Sequence, residues 1–270
     1  MGACLSLCAG DGNDGEGDKY VHMRDSNGSH ELPYKPPSSA SGGGGGQGGG
    51  GNVRESKAKL ARDHAKSTFR PLKNHKDKVR AELQRATLHT LGSGDLNGAV
   101  ALPPGCSREE WVAVHVLDFY NELALFVGMV GAEGWARTAR KGQGFPAAFE
   151  YRWPSGRPGE KPRQVSASQY VVKVMDWAGE EIDALPSSQA GFDAGFMPRA
   201  RDLFKRLFRI YAIIFHAQYD VVERCEALPH LNTCFKHFCF FVFEYELVEE
   251  RELQALAQLT QKLRHTYHGT

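Results

Sequence analysis

Residues 199–219 read RARDLFKRLFRIYAIIFHAQY, and their spacing decides the fold. Leu203, Leu207, Ile210, Ile214 and Val221 recur at helical intervals, with Phe204, Phe208, Tyr211 and Phe215 one residue on. An apolar face this broad predicts a helix buried on most of its circumference rather than one lying on a surface. Arg201, Lys205 and Arg209 fall at i, i+4 and i+8, with Arg206 beside them. No acidic residue alternates with them along that line, so the strip is expected to stand uncompensated and to attract an anion. Cations fixed on a rigid helix make bidentate, charge-assisted contacts with a phosphate, which points to phosphopeptide capture. The plainer alternative is a solvated face in which Lys and Arg snorkel out of the core.

The flanking chain divides by composition. Half of the 30 glycines among its 270 residues precede Val53, so the foldable part approaches 200 residues. Residues 1–53 form a polar, Gly-rich extension that cannot bury enough apolar surface to offset the entropy of ordering, and disorder is expected there. Residues 54–85 carry eleven Lys or Arg against four Asp or Glu and form a basic arm, and residues 86–266 hold the helical domain. A net charge of +1 gives no reason to expect a nucleic-acid partner. The six cysteines, Cys4, Cys8, Cys106, Cys225, Cys234 and Cys239, form no C-x-x-C pair and are expected as free thiols in a reducing compartment, which makes the expected location cytoplasmic.

The first residues, MGACLSLC, fit the myristoylation pattern with Gly2 as acceptor and Ser6 in place, and Cys4 and Cys8 lie alongside for thioester acylation. One acyl chain holds a protein to a bilayer only marginally, so stable membrane association requires a second on Cys4 or Cys8.

Further along, Glu82–Leu91 reads as a helix stopped by Gly92-Ser93-Gly94. Ser107 and Glu110 have the spacing of a capping box, opening a helix whose stripe of Val112, Val116, Phe119, Leu123, Phe126 and Val130 faces the core. On that helix a second line, Trp111, His115, Asp118 and Glu122, is mostly polar and is expected to face outward, either as an interface for a basic partner helix or, more plainly, as a solvated face with a half-buried Trp. Residues 149–165 read as a short hairpin. Ser166 with Gln169 forms another capping box, for a helix through Val171, Val174, Ala178 and Ile182. A Phe-dense helix from about Asn232 and a Leu-dense one close the chain. No nucleotide, hydrolase or metalloprotease motif is present, so no enzyme activity is expected.

The ordered blocks LGSGDLNGAVALPPG, EEWVAVHVLDFYNEL, FEYRW, SASQYV, KRLFRIYAIIFHAQYD and LNTCFKHFCFFVFEYELVEERELQAL closely resemble the MOB kinase-activator family over about residues 65–265. The resemblance implies an all-α domain built on a four-helix bundle with a small β-hairpin. It implies a non-catalytic adaptor in Hippo-type signalling that binds the N-terminal regulatory region of NDR and LATS kinases and docks a phosphorylated upstream kinase or scaffold. The family's phosphate-binding cations correspond to Lys205, Arg206 and Arg209, and its kinase-facing surface to Glu110, Trp111, Asp118 and Phe119. Cys106 and Ser107 stand where acidic residues usually begin that segment. Its phosphorylated threonines correspond to Thr68 and Thr90. The family's structural zinc is held by two Cys and two His, whose positions here are Gly134, Ala139, Ile213 and Gln218, so a zinc-free member with no cofactor is expected. A scaffold of a phosphatase or membrane-trafficking complex is the other reading the resemblance leaves open.

Overall fold

The computed structural model describes residues 70–268 apart from 71, 93 and 156–158, without the side chains at 89, 90, 92 and 268. Gly2, Cys4, Cys8, Thr68, the Gly-rich extension and most of the basic arm therefore lie outside the described residues. In chain order the elements are α1 (Lys78–Gly92), α2 (Leu96–Val100), α3 (Arg108–Ala136), a hairpin of β1 (Arg152–Trp153) and β2 (Arg163–Gln164), α4 (Ala167–Asp183), α5 (Phe196–Ala217), α6 (Tyr219–Arg224), α7 (Leu228–Tyr245), α8 (Glu250–Leu253), a 3-10 turn (Gln254–Leu256) and α9 (Ala257–His268).

The helix read from residues 199–219 is α5, and it is buried on most sides, as its broad apolar face predicts. It packs against α3 and α4, while α3 also packs against α4 and α7, which makes the four-helix core of an all-helical fold. Phe119 of α3, Phe204 of α5, and Phe238 and Phe241 of α7 meet there with ring centroids 5.1–5.8 Å apart. A fully buried Phe contributes roughly 1.5–3 kcal/mol on leaving water, so this cluster outweighs any single polar contact in the domain.

Local chemistry sets the ends of the elements. The Ser166 hydroxyl accepts from Gln169 N while the Gln169 side chain accepts from Ser166 N, the full reciprocal cap of α4. Ser107 caps α3 by accepting from Glu110 N. Glu110 does not return the contact to the Ser107 backbone; its carboxylate is taken by Arg80 and Ser188. Helix α1 starts at Lys78, four residues earlier than the apolar pattern predicts, because Asp77 accepts from the Val79 and Arg80 amides at its start. Helix α3 kinks at Gly131, whose φ of 64° a side chain would disfavour. Helix α5 stops at Ala217, where Gln218 leaves the helical conformation (φ −127°, ψ 8°), so Tyr219 and Val221 belong to α6. The hairpin pairs Arg152 with Gln164 and Trp153 with Arg163.

Candidate functional site

Two faces carry the residues that the sequence singles out. On the exposed side of α5, Arg201, Lys205, Arg206 and Arg209 do lie along one strip, but the strip is compensated. Asp202 reaches forward one turn: Oδ1 accepts from Lys205 Nζ at 2.6 Å and Oδ2 from Arg206 Nε at 2.8 Å. The expectation of a strip free of carboxylates is therefore corrected, since a helical Asp meets the cations at i+3 and i+4 even when it is off their line. Arg209 donates from Nε and Nη2 to the two oxygens of Glu252 in α8, at 2.9 and 2.7 Å, and its Nη1 lies 3.4 Å from the Tyr170 hydroxyl. Arg201 stays exposed, and among the described residues no carboxylate pairs with it.

Arg206 is held from both sides as well. Its guanidinium lies 4.8 Å from the Trp153 ring centroid on β1 and 4.9 Å from that of Trp177 on α4. Cation–π contacts of this kind fix a planar guanidinium before any ligand arrives. Burial pushes the Asp202 carboxyl up, but the bonds from Lys205 and Arg206 more than offset it and leave it below the ordinary carboxylate range. Burial lowers Arg209, yet Glu252 and Tyr170 outweigh it, so Arg209 stays a fixed cation. Counting Arg201, Lys205, Arg206 and Arg209 against Asp202 and Glu252 leaves the strip with an excess of two positive charges.

The second face reverses the outward reading of Trp111, His115 and Asp118. All three are buried, with Glu122 half-buried: Trp111 bonds Val100 of α2, His115 stacks on Phe241 of α7, and Asp118 is covered by Gln84 of α1. Arg80 Nε donates to Glu110 Oε1 at 2.6 Å, and Ser188 Oγ donates to the same oxygen at 2.9 Å. Gln84 Nε2 donates to Asp118. Trp111 Nε1 donates to the Val100 carbonyl, so this Trp is a core residue and not an exposed anchor. Phe119 is fully buried among the Phe cluster. Burial raises the Asp118 carboxyl to about 8 against the Gln84 hydrogen bond, so it holds a proton at neutral pH. Burial and the neighbouring His237 keep His115 well below its usual value, and burial with Arg80 lowers His75 to about 4. Thr90 lies in the last turn of α1. Upstream of α1 the chain is also tied down, by Arg70 to Asp176 and by Lys73 to Asp183.

The four positions that correspond to a zinc site meet a different chemistry. Gln218 is fully buried; its amide nitrogen donates to the Gly134 carbonyl at 2.7 Å and its oxygen accepts from Arg137 at 3.3 Å. Arg137 in turn grips both oxygens of Asp220 at 3.0 and 3.1 Å. A Cβ on Gly134 would stand 2.6 Å from Val130 Cγ1, and Ile213 is buried in the core. With a guanidinium where a cation would have to approach, and no thiolate or imidazole at any of the four positions, these residues do not fit a tetrahedral zinc. Among the described residues no cluster of three His, Cys, Asp or Glu is arranged for a metal.

A profile of the Mob1/phocein family matches residues 88–256, which take in the four-helix core, the hairpin and the basic strip. The chain belongs to the Mob1/phocein family. It is 38% identical to the MOB kinase activator-like 1B protein of Arabidopsis thaliana over 201 residues, covering 73% of this chain and 93% of that one. It is 35% identical to the MOB kinase activator 3C of Bos taurus over 204 residues, covering 73% of this chain and 94% of that one. Trp153, Trp177, Asp202 and Glu252 are the residues around the basic strip that its cationic pattern does not indicate. Asp202 was detectable from its i, i+4 spacing to Arg206; Glu252, 43 residues from Arg209, gave no local signal.

Proposed function

We propose that this chain is a non-catalytic co-activator of an NDR/LATS-type AGC protein kinase in Hippo-like signalling, and that it docks a phosphorylated peptide on the basic strip of α5. The reading is supported by family membership together with one observation. Lys205 and Arg206 sit on a buried, rigid helix with their charged ends still partly exposed, and the strip keeps its positive excess. A phosphate reaching that strip meets cations whose positions are already fixed, so little ordering entropy opposes binding.

In this reading the kinase's regulatory region engages the face of Glu110, Trp111, Asp118 and Phe119. Of these, Glu110 and Asp118 are held by Arg80 and Gln84 of α1, so a partner reaches their carboxyls only when α1 lifts, while Trp111 and Phe119 act from the core by holding α3 in place. A phosphate on Thr90 would place negative charge in the last turn of α1, where the helix dipole disfavours it, and one on Thr68 would draw on the cations of the basic arm. Acylation at Gly2 with Cys4 or Cys8 would hold the otherwise cytoplasmic adaptor at a membrane. The domain folds without zinc, the Gln218 and Arg137 contacts holding α3 to the α5–α6 junction where the metal would sit.

Affinity purification of the full chain with mass spectrometry tests the assignment. Recovery of an AGC kinase whose turnover rises on adding the chain supports it; recovery of a phosphatase complex instead would favour a scaffold of that kind. Gly2→Ala should move the protein to the soluble fraction, and an unchanged distribution would remove the lipid anchor.

A further inference from the structure

Asp202 does what an arriving phosphate would do. It offers one oxygen to Lys205 and the other to Arg206, and it does so from the same helix, so the arrangement needs no partner. We infer that Asp202 is a built-in occupant of the phosphate seat, and that a phosphopeptide binds by exchange, displacing this carboxylate from Lys205 and Arg206. The inference rests on the phosphopeptide reading above and specifies how that site is regulated.

Three features separate this contact from an ordinary helix ion pair. First, Arg206 is positioned by Trp153 and Trp177 independently of Asp202, so its guanidinium stays in place when the carboxylate leaves. Second, the carboxylate end of the pair is open to exchange: the Asp202 side chain is 34% exposed, about three times as much as that of Glu252, and a partly solvated i, i+4 pair is weak. A phosphate carries about −1.5 to −2 charges against one and takes the two cations more strongly. Third, the neighbouring pair is built the other way. Arg209 grips Glu252 with two bonds, and the Glu252 side chain is only 11% exposed, so breaking that contact strands a buried charge and loosens α5 from α8. Exchange therefore falls on Lys205 and Arg206, with the unpaired Arg201 adjoining, and Arg209 acts as a positioning residue. A groove beside them is lined by Arg201 and Lys205 but also by Glu246, Glu249, Glu250 and Arg264, so chain flanking the phosphate meets carboxylates there as well as cations.

After displacement, Asp202 remains within a turn of the phosphate and still repels it. Unit charges roughly 6 Å apart at an effective dielectric of about 40 correspond to about a tenfold change in affinity. The test titrates the full chain with an otherwise uncharged peptide carrying one phosphothreonine, and with its unphosphorylated counterpart. Asp202→Asn and Asp202→Ala should each bind the phosphopeptide about tenfold more tightly than the unsubstituted chain, with no gain for the unphosphorylated peptide and little change in Tm. Equal affinity in these variants, with binding still abolished by Lys205→Glu plus Arg206→Glu, would overturn the exchange while leaving phosphopeptide docking intact. Weaker binding in both would mean that Asp202 supports the cations instead of competing for them. Absence of phosphate-dependent binding in every variant would remove the docking reading and the exchange with it.

Discussion

Arg80 and Arg206 are dressed alike, yet they differ in how far solvent reaches them. Each donates from Nε to a carboxylate, Glu110 at 2.6 Å and Asp202 at 2.8 Å, and each lies over aromatic rings, Phe192 for Arg80 and two Trp for Arg206. The Arg80 and Glu110 side chains are 4% and 11% exposed, whereas those of Arg206 and Asp202 are 18% and 34% exposed. Solvent access decides what the same chemistry does. A buried pair cannot open without stranding a charge, so it fastens α1 to the start of α3. A half-exposed pair opens at little cost and leaves a seat that another anion can take.

The sharpest way to break the contrast is to remove the buried carboxylate. Glu110→Ala leaves Arg80 without its ion-pair partner and should cost about 3 kcal/mol or more in denaturant unfolding, with amide exchange in α1 rising first. Unchanged exchange in α1 would mean that the pair does not hold that helix. Next in size is the junction opposite, where Gln218→Ala deprives the buried Gly134 carbonyl of its donor. A loss of about 1–3 kcal/mol is expected. A chelator should leave the Tm of the unsubstituted chain unchanged, and metal analysis should find no stoichiometric zinc. A chelator-induced fall in Tm would overturn the zinc-free account.

The pH dependence of stability sharpens the same comparison, with a shallower effect because two slopes oppose each other. Asp118 has its folded pKa raised to about 8, so its contribution is complete below the ordinary carboxylate value and is lost as pH rises from about 4 to 8. His75 and His115 are lowered, so their contribution is present above about 6.5 and is lost as pH falls, for His75 through about 4. Asp118→Asn should therefore remove the decline between about pH 4 and 8 and leave the His-dependent loss on acidification in place, as read by urea midpoints across pH. Identical profiles for the two proteins would show that Asp118 does not titrate beneath α1.

How much of this was legible in sequence depends on the distance over which each feature is decided. The stripe Val112, Val116, Phe119, Leu123, Phe126 and Val130 is buried as its period predicts, and the Ser166 cap forms as its spacing predicts, because both are local. Trp111, His115 and Asp118 are not outward as their polar line predicts, because elements distant in sequence cover them, α2 over Trp111, α7 over His115 and α1 over Asp118, and periodicity within one helix cannot report them. Asp202 was in plain view but off the cationic line; side chains on a helix reach a turn in either direction, and that reach, not alignment, sets who pairs. The missing zinc ligands were readable as residue identities, whereas the Gln218, Gly134 and Arg137 contacts that stand in their place needed the kink at Gly131 and the break at Gln218.

Calorimetric titration of the full chain with a phosphothreonine peptide and its unphosphorylated twin puts the contrast to its most direct test. The account predicts binding of the phosphorylated peptide alone, abolished by Lys205→Glu with Arg206→Glu in a chain that stays folded by circular dichroism. Equal affinity for the two peptides, or binding that survives both charge reversals, would contradict it.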